Sequence, residues 1–251
     1  MPAPLRLEEG SVFGARNSML YWFPFVQRSG VSHPRTLIVK VEPSALWAML
    51  DGRDGFGDAS KKALVEAGRK IGYPLFLRTD QLAGKHSWVD TCYVPSEDVL
   101  FQHIYELVET HGCVIGVPDP QALVFRELLP LESSFTAFRG MPVARERRYF
   151  IKDNRVVCHH AYWIPDAVEK GWSDPPLPPD WRARLAELNE ETEAEVQELT
   201  LMAEKLEIPG AWSVDFARLD DPQPLPPFWV LLDMALAAVS YHPPCPMAGG
   251  S

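Results

Sequence analysis

Two aspartates near the end of the chain lie in apolar runs of strand-like composition, and together they could hold a cation. Asp215 belongs to the run at residues 212–217 and Asp233 to the run at residues 229–235. The segment between the runs is rich in proline, which favours a turn and excludes a central strand. If the runs pair as a hairpin centred on residue 224, the two carboxylates lie opposite each other on one face.

Facing carboxylates repel each other, and their burial is unfavourable unless a positive charge compensates it. A divalent metal ion shared by Asp215 and Asp233 is the interpretation that we favour. Two alternatives stay open. Both aspartates could lie at a solvent-exposed edge, or one of them could pair with an arginine.

A second set of residues has the pattern of a phosphate-binding loop. Arg78 lies in a predicted strand at residues 74–80, and Lys85 follows Gly84 in the loop at residues 81–87. Two cations separated by a flexible turn can bind phosphate oxygens while the loop covers them. The alternative is that both are ordinary surface cations.

A third candidate site is the end of the strand predicted at residues 122–129. Arg126 and Glu127 form a charged pair there, and Leu128 adds an apolar side chain. Backbone groups at such a strand end could supply the donor and the acceptor that an adenine edge needs. An ordinary strand end with a surface ion pair explains the pattern equally well.

A fourth set lies in a predicted hairpin, with strands at residues 147–152 and 155–160 around the turn residues Asp153 and Asn154. Counting outward from the turn places Arg148 opposite His159. Glu146, two residues before Arg148, shares its face.

These residues suggest separate roles. Arg148 could bind a terminal phosphate, and Glu146 could orient it. His159 could be a base, a phosphate donor or a structural partner. His160 is predicted on the opposite face, and Arg145 and Arg147 in solvent.

The elements that must position these residues indicate an α+β fold. Helices are predicted at residues 60–71, 96–110 and 181–206, whereas the first 30 residues show no clear pattern. Hairpin signals dominate the C-terminal half, so the strands are expected to pair mainly antiparallel rather than in a doubly wound sheet.

Composition narrows the function classes. The 251 residues carry a net charge of -10, which argues against broad nucleic-acid binding. No apolar run could span a bilayer and no signal-peptide core is visible, so a cytoplasmic location is expected. The scattered cysteines do not form metal-binding or disulfide patterns, and we expect buried, reduced thiols. They are Cys92, Cys113, Cys158 and Cys245.

The ordered set of motifs resembles the ATP-grasp fold and, within it, the clade named for two arginines and a lysine, which is frequent in phage and bacterial genomes. The resemblance extends over residues 35–242. It rests on the strand and loop at 74–88, the segment at 125–129, the strand and turn at 146–154, and the paired aspartates.

The resemblance implies two α+β lobes with ATP bound between mainly antiparallel sheets. We expect an N-terminal segment at 1–34, lobes at 35–126 and 127–247, and a tail at 248–251. The implied ligands of Mg²⁺–ATP are Arg78, Lys85 and Arg148 for phosphates, Glu127 and Leu128 for adenosine, and Asp215 and Asp233 for the metal.

Members of this fold typically activate a carboxylate as an acylphosphate, which an amine or similar nucleophile then attacks. The expected function is therefore an ATP- and Mg²⁺-dependent ligase whose carboxylate and amine substrates are unidentified, with a peptide or protein among the candidates. One departure stands out: Ala235 occupies the position where typical members place a metal-binding asparagine.

Two other functions stay open. The first is a non-catalytic ATP-binding assembly factor, because a eukaryotic ATP-grasp-like family that helps assemble a translation initiation factor has a similar Glu-x-Arg strand and paired aspartates. The second is a metal hydrolase that uses His159, His160 and the aspartates.

Overall fold

The structure is a computed structural model that describes residues 14–220 and 228–243. Residues 221–227 of the turn predicted at 219–227, Cys245 and the predicted tail at residues 248–251 lie outside the described residues. The chain divides into two compact units. Of the described residues, the first unit comprises those up to Leu20, Pro34–Leu128 and Phe138–Met141. The second comprises Tyr21–His33, Leu129–Ala137 and the described residues from Pro142 onward. The lobe boundaries expected from the sequence stay a prediction.

The first unit contains a four-stranded sheet in the order β1-β4-β2-β3, in which the neighbouring strands pair antiparallel. Its elements are β1 (Thr36–Lys40), α2 (Pro43–Leu50), α3 (Asp58–Ile71), β2 (Leu75–Thr79), a 3-10 turn (Lys85–Ser87), β3 (Tyr93–Val94), a second 3-10 turn (Glu97–Val99), α4 (Leu100–Gly112) and β4 (Ala122–Glu127).

Helix and sheet positions of the first unit share one hydrophobic core. Leu64 on α3 and Ile104 on α4 are fully buried in the same cluster as Leu77 and Phe125 of the sheet. Burial of a side chain of this size stabilises the fold by about 1.5–3 kcal/mol. This core therefore fixes β2 and β4, the strands that lead to the candidate phosphate-binding and adenine-binding segments.

The second unit contains a four-stranded sheet in the order β10-β9-β7-β8, again antiparallel throughout. A two-stranded sheet pairs β5 with β6. Most of α1 (Met19–Ser29) belongs to this unit. Its other elements are β5 (Ser133–Ala137), β6 (Met141–Ala144), β7 (Glu146–Lys152), β8 (Arg155–Ala161), α5 (Pro165–Lys170), α6 (Trp181–Asn189), α7 (Glu193–Glu204), β9 (Ala211–Arg218), β10 (Trp229–Leu236) and a 3-10 turn (Ala237–Val239).

The two faces of this second sheet differ in character. One face carries fully buried apolar residues such as Trp212, Val214 and Phe216 on β9. The alternate positions of the same strand are Ser213 and Asp215, which project to the other face. The polar face is therefore where the sheet can do chemistry.

The α+β class and the mainly antiparallel pairing are as predicted, but one helix prediction was wrong and one helix was not predicted. The single helix expected over residues 181–206 is two helices, because Thr192 accepts a hydrogen bond from the backbone of Glu195 and Glu195 bonds back to Thr192, a capping box that starts α7. Helix α1 was missed, since Pro24 lies inside it and proline usually interrupts a helix.

Among the helices of the described residues, none combines the length and the apolar character needed to cross a bilayer.

Candidate functional site

Four positions form a row across the polar face of the second sheet. Arg148 on β7 pairs with Asp215 on β9, and Asp215 pairs with Asp233 on β10. On its other side, Arg148 pairs with His160 on β8. Residues paired across neighbouring strands project to the same face, so the four side chains are adjacent. The predicted opposition of Asp215 and Asp233 is confirmed.

Arg148 neutralises Asp215 directly. Its Nε and Nη2 atoms donate to Oδ1 and Oδ2 of Asp215 at 2.7 and 2.8 Å. The two side chains are only 14% and 9% exposed, and the guanidinium lies 4.6 Å from the ring centre of Tyr162. Burial lowers the pKa of Arg148, but the hydrogen bonds and charge of Asp215 outweigh burial and raise it overall. The arginine partner that the sequence left open is therefore present.

Asp233 is bound differently from Asp215. It is partly exposed, and its Oδ1 atom accepts the backbone N–H of Met234 at 2.9 Å. Asp215 and Asp233 thus bring two carboxylates, the hard oxygen donors that Mg²⁺ prefers, to neighbouring strands. In the part of the chain that the structure describes, no group of three or more His, Cys, Asp or Glu side chains is arranged to hold a metal ion.

The β7–β8 hairpin departs from the register that was counted from its turn. Lys152 pairs with Arg155 and Ile151 with Val156, as the count predicts. Val157 is then an additional residue on β8, a β-bulge that shifts every later pair by one position.

Because of this bulge, the predicted opposition of Arg148 and His159 was wrong. His159 pairs with Tyr149 on the opposite face, where the two rings stack with centres 4.8 Å apart. Its Nδ1 atom lies 3.5 Å from a carboxylate oxygen of Glu191, which precedes α7. His159 therefore lies away from the aspartates. His160 instead lies beside Arg148, at the position that was predicted for His159.

The place of His160 beside Arg148 was not predicted, and no sequence signal marks the bulge that brings it there. Its Nδ1–H donates to the carbonyl oxygen of Ala161 at 2.7 Å. Its Nε2 atom is buried and has no hydrogen-bond partner among residues 14–220 and 228–243. Burial, together with the positive charge of Arg148, lowers the pKa of His160, so the imidazole is neutral near pH 7.

Glu146 shares the face of Arg148, as its position two residues earlier predicts. Glu146 is buried, and its Oε1 atom accepts the indole N–H of Trp163 at 2.9 Å. The hydrogen bonds of Asp215 orient the Arg148 guanidinium, and an orienting role for Glu146 stays a prediction.

Arg145 and Arg147, predicted in solvent, instead bind the C-terminal end of α6. Arg147 is 1% exposed, and its Nη1 atom donates to the carbonyl of Leu188 at 3.0 Å. Arg145 donates to the carbonyl of Glu190 at 2.7 Å. The last carbonyls of a helix lack intrahelical partners, so both guanidinium groups stabilise this helix end.

In the first unit, Arg78 and Lys85 lie on either side of the predicted loop. Arg78 is 3% exposed, and its Nε donates to the carbonyl of Thr79 at 3.1 Å. Lys85 begins a 3-10 turn directly after Gly84, whose φ of 66° is left-handed. The Thr91 hydroxyl lies 2.8 Å from the Gly84 carbonyl, so this turn is anchored at its first residue.

The end of β4 combines an ion pair with open backbone groups. Glu127 pairs with Arg35 at 3.2 Å, whereas Arg126 is buried and donates from Nε to the hydroxyl of Thr36. Leu128 makes no backbone hydrogen bond within the described residues. Its N–H and C=O match the donor and acceptor pattern expected for an adenine edge.

The thiols differ in their surroundings, which corrects the expectation that all of them are buried. Cys92 is fully buried, and burial raises its pKa to about 12. Cys113 is exposed and Cys158 is partly exposed. Cys158 Sγ lies 2.8 Å from Nε2 of His242.

Two solved structures of low sequence identity, with TM-scores above 0.5, share the fold. The chain is similar to C-terminally truncated Cdc123 from Schizosaccharomyces pombe, with 12% identity and a TM-score of 0.54 over 93% of this chain and 87% of that one. A second Cdc123 structure from the same organism gives 14% identity and a TM-score of 0.52 over 90% and 85% of the two chains. An N5-carboxyaminoimidazole synthase from Aspergillus clavatus, in complex with ADP, gives 12% identity and a TM-score of 0.49 over 90% of this chain and 45% of that one.

A search of curated proteins found no match. A family model of the ATP-grasp domain, family 3 of the clade named for two arginines and a lysine, matches residues 66–224, which is more than half of the chain. This match confirms the resemblance drawn from the motifs, and the chain belongs to that clade of ATP-grasp domain proteins.

Proposed function

We propose that this protein is an ATP- and Mg²⁺-dependent ligase that activates a carboxylate as an acylphosphate. The observation that carries the proposal is the row in which Asp233, Asp215 and Arg148 project from neighbouring strands to one face. Two metal-binding carboxylates beside a phosphate-binding guanidinium are the groups that a metal–triphosphate complex requires.

The residues present fit one Mg²⁺ ion. Mg²⁺ is usually held by one or two carboxylates and completes its coordination with phosphate oxygens and water. Asp215 and Asp233 supply two carboxylates, whereas Ala235, on the same face, supplies no third donor. When bound, the ion would neutralise charge on the phosphates.

Arg148 would exchange part of its contact with Asp215 for phosphate oxygens. Both oxygens of Asp215 accept hydrogen bonds from Arg148 in the ligand-free protein. Since a metal ion would occupy at least one of these oxygens, the guanidinium would be released toward the phosphate. Asp215 thus keeps Arg148 extended along the row before the nucleotide arrives.

The family's motifs assign further ATP ligands to residues of the first unit. Arg78 and Lys85 would bind phosphate oxygens, while the backbone of Leu128 would pair with the adenine edge. Glu127 is engaged by Arg35, so we assign it the task of fixing the strand end. Arg126, bound to Thr36 from within the same strand pair, would support that end from the buried side.

In the proposed reaction, a substrate carboxylate oxygen attacks the γ-phosphorus of ATP, and ADP leaves. An amine then attacks the acyl carbon, and phosphate leaves. Positioning and charge neutralisation would carry most of the catalysis. His159 has no part in this scheme, because it lies on the other face of the sheet. A cytoplasmic location, with ATP available and thiols reduced, belongs to the proposal.

An amino acid, a peptide or a protein could supply the amine or the carboxylate. The experiment that tests ligase activity is ADP release measured across a panel of carboxylates and amines. Release that depends on one carboxylate–amine pair and is lost in Asp233→Asn is the expected result.

A second candidate function is a non-catalytic ATP-binding assembly factor. Ala235 favours it, because an alanine at this position removes a metal ligand that typical ligases of this fold have. Binding of Mg²⁺–ATP without ADP release from any member of the panel would favour this candidate over the ligase.

A further inference from the structure

A second row of paired residues lies on the polar face, two residues along each strand from the row of Arg148 and Asp215. It pairs Ser213 with Phe150, and Phe150 with Cys158 on the edge strand β8. The residues that follow β10 cross over this row. Ser240 Oγ lies 2.6 Å from Ser213 Oγ, and the His242 ring centre lies 4.1 Å from that of Phe150. We call residues 240–242 the strap.

The strap places the imidazole of His242 beside the thiol of Cys158. Nε2 of His242 lies 2.8 Å from Sγ of Cys158, and the packing of His242 against Phe150 holds the ring there. An imidazole at hydrogen-bond distance can take the thiol proton, and the resulting thiolate is the nucleophilic form of cysteine. Cys158 is partly exposed.

The pair lies beside the arginine that the proposed function assigns to phosphate. Arg148 pairs with His160, and Cys158 is two residues before His160 on the same face. Diagonal neighbours of this kind are about 7–8 Å apart at their Cα atoms, within reach of a long side chain and its ligand. An acylphosphate whose phosphate is bound by Arg148 would therefore present its acyl carbon near the thiol.

We propose that Cys158 and His242 form a nucleophilic pair that accepts the acyl group of the acylphosphate as a thioester, an inference that rests on the proposed function. A bond forms between Sγ of Cys158 and the acyl carbon, and the bond from that carbon to the phosphate oxygen breaks. Phosphate leaves with its electron pair, and the thiol proton passes to Nε2 of His242. An amine then attacks the acyl carbon, and the bond from that carbon to the sulfur breaks. His242 returns its proton to the sulfur, and the proton that the amine nitrogen loses passes through solvent to the released phosphate.

The first test compares two thiols of the same protein. Cys113 is more exposed than Cys158 and has no imidazole partner within the described part of the chain, so it is a matched reference. The protein is treated with iodoacetamide at pH 7, and alkylation of each cysteine is followed by peptide mass spectrometry. Cys158 is expected to react about tenfold faster than Cys113, because a thiolate forms at lower pH beside an imidazole. His242→Asn should bring the two rates together.

The second test uses acetyl phosphate, the simplest acylphosphate, as the probe. An acetyl group that hydroxylamine removes is expected on Cys158 in the wild type and in the control Cys113→Ser. It should be absent in Cys158→Ala and strongly reduced in His242→Asn and Arg148→Met. Mg²⁺–ATP should slow the labelling by competing for Arg148. Circular dichroism of each variant would establish that it is folded.

Two results would overturn the inference. One is alkylation of Cys158 no faster than that of Cys113, and the other is acetyl transfer that spares Cys158. If Mg²⁺–ATP still stabilises the wild-type protein in a thermal melt, only the thiol role is refuted. If it gives no stabilisation, the proposed function falls, and this inference falls with it.

Discussion

Because Arg148 is paired with Asp215, the free energy of unfolding of the ligand-free protein should fall in Asp215→Asn and change little in Asp233→Asn. Asp215→Asn removes the charge that compensates a guanidinium only 14% exposed. Removing one partner of a buried pair costs about 3–5 kcal/mol, because the other charge stays buried. Since some exposure remains, we expect a loss of about 3 kcal/mol in the free energy of unfolding, or about 6–12 °C in Tm.

The matched control is Asp233→Asn, a change of the same chemistry one strand away. Asp233 is partly exposed, and its carboxylate accepts the N–H of the next residue, a bond that an asparagine oxygen can also accept. A cost below about 1 kcal/mol is expected. Urea unfolding at pH 7, without nucleotide or metal and followed by tryptophan fluorescence, measures both variants.

A double-mutant cycle isolates the pair itself. Removing both charges in Arg148→Met with Asp215→Asn should cost less than the two single losses together, with a coupling energy of about 2 kcal/mol. Equal losses for Asp215→Asn and Asp233→Asn, or a coupling energy near zero, would refute the reasoning that Arg148 is held by Asp215.

Three further substitutions probe the remaining features. His160→Asn should reduce the fall of Tm on acidification, because the pKa of the imidazole is lowered in the folded protein. The stability that the neutral imidazole contributes is present above about pH 6.5 and is lost as the pH falls below that value. An equal fall of Tm in the wild type and the variant would contradict this. Gly84→Ala should cost about 1–2 kcal/mol from its left-handed backbone alone, and its Cβ would lie 2.9 Å from Leu107 Cδ1, so unchanged urea unfolding would contradict the assigned turn. Ala235→Asn would add an amide oxygen on the face of Asp233, two residues away, and should lower the Mg²⁺ concentration at which ATP gives half of its thermal stabilisation; a higher or equal concentration would contradict the proposed metal position.

Counting residues from a turn succeeded for one hairpin and failed for the other, and β-bulges explain both results. In the β9–β10 pair, Trp229 pairs with Arg218 one position away from the symmetric count, and a bulge near Leu232 restores the count so that Asp233 meets Asp215. In the β7–β8 pair, the residues next to the turn already follow the count, so a bulge that shifts the register in the same direction moves the later pairs away from it. A bulge depends on the twist and packing of the whole sheet, so local sequence does not reveal it.

The environment of Arg147 was also beyond local sequence. Arg147 and Arg148 are consecutive in a strand, so they are predicted to project to opposite faces of the sheet, and they do so. On its own face of the sheet, Arg147 contacts the carbonyl of Leu188 near the end of α6. This contact depends on where α6 ends. That end had a visible sign, since Thr192 and Glu195 have the spacing of a capping box. The order of the motifs, by contrast, was sufficient to predict the fold and the family.

A calorimetric titration of ATP in the presence and absence of Mg²⁺ tests the central claim most directly, because it measures nucleotide binding without requiring the unknown substrates. The wild-type protein and the control Cys113→Ser should bind ATP in a Mg²⁺-dependent way. Asp233→Asn, which is expected to remain folded, should weaken Mg²⁺-dependent binding at least about tenfold, a free-energy loss of about 1.4 kcal/mol. Equal binding by the wild type and Asp233→Asn, or no binding by the wild type, would contradict the claim that this face holds a metal–ATP complex.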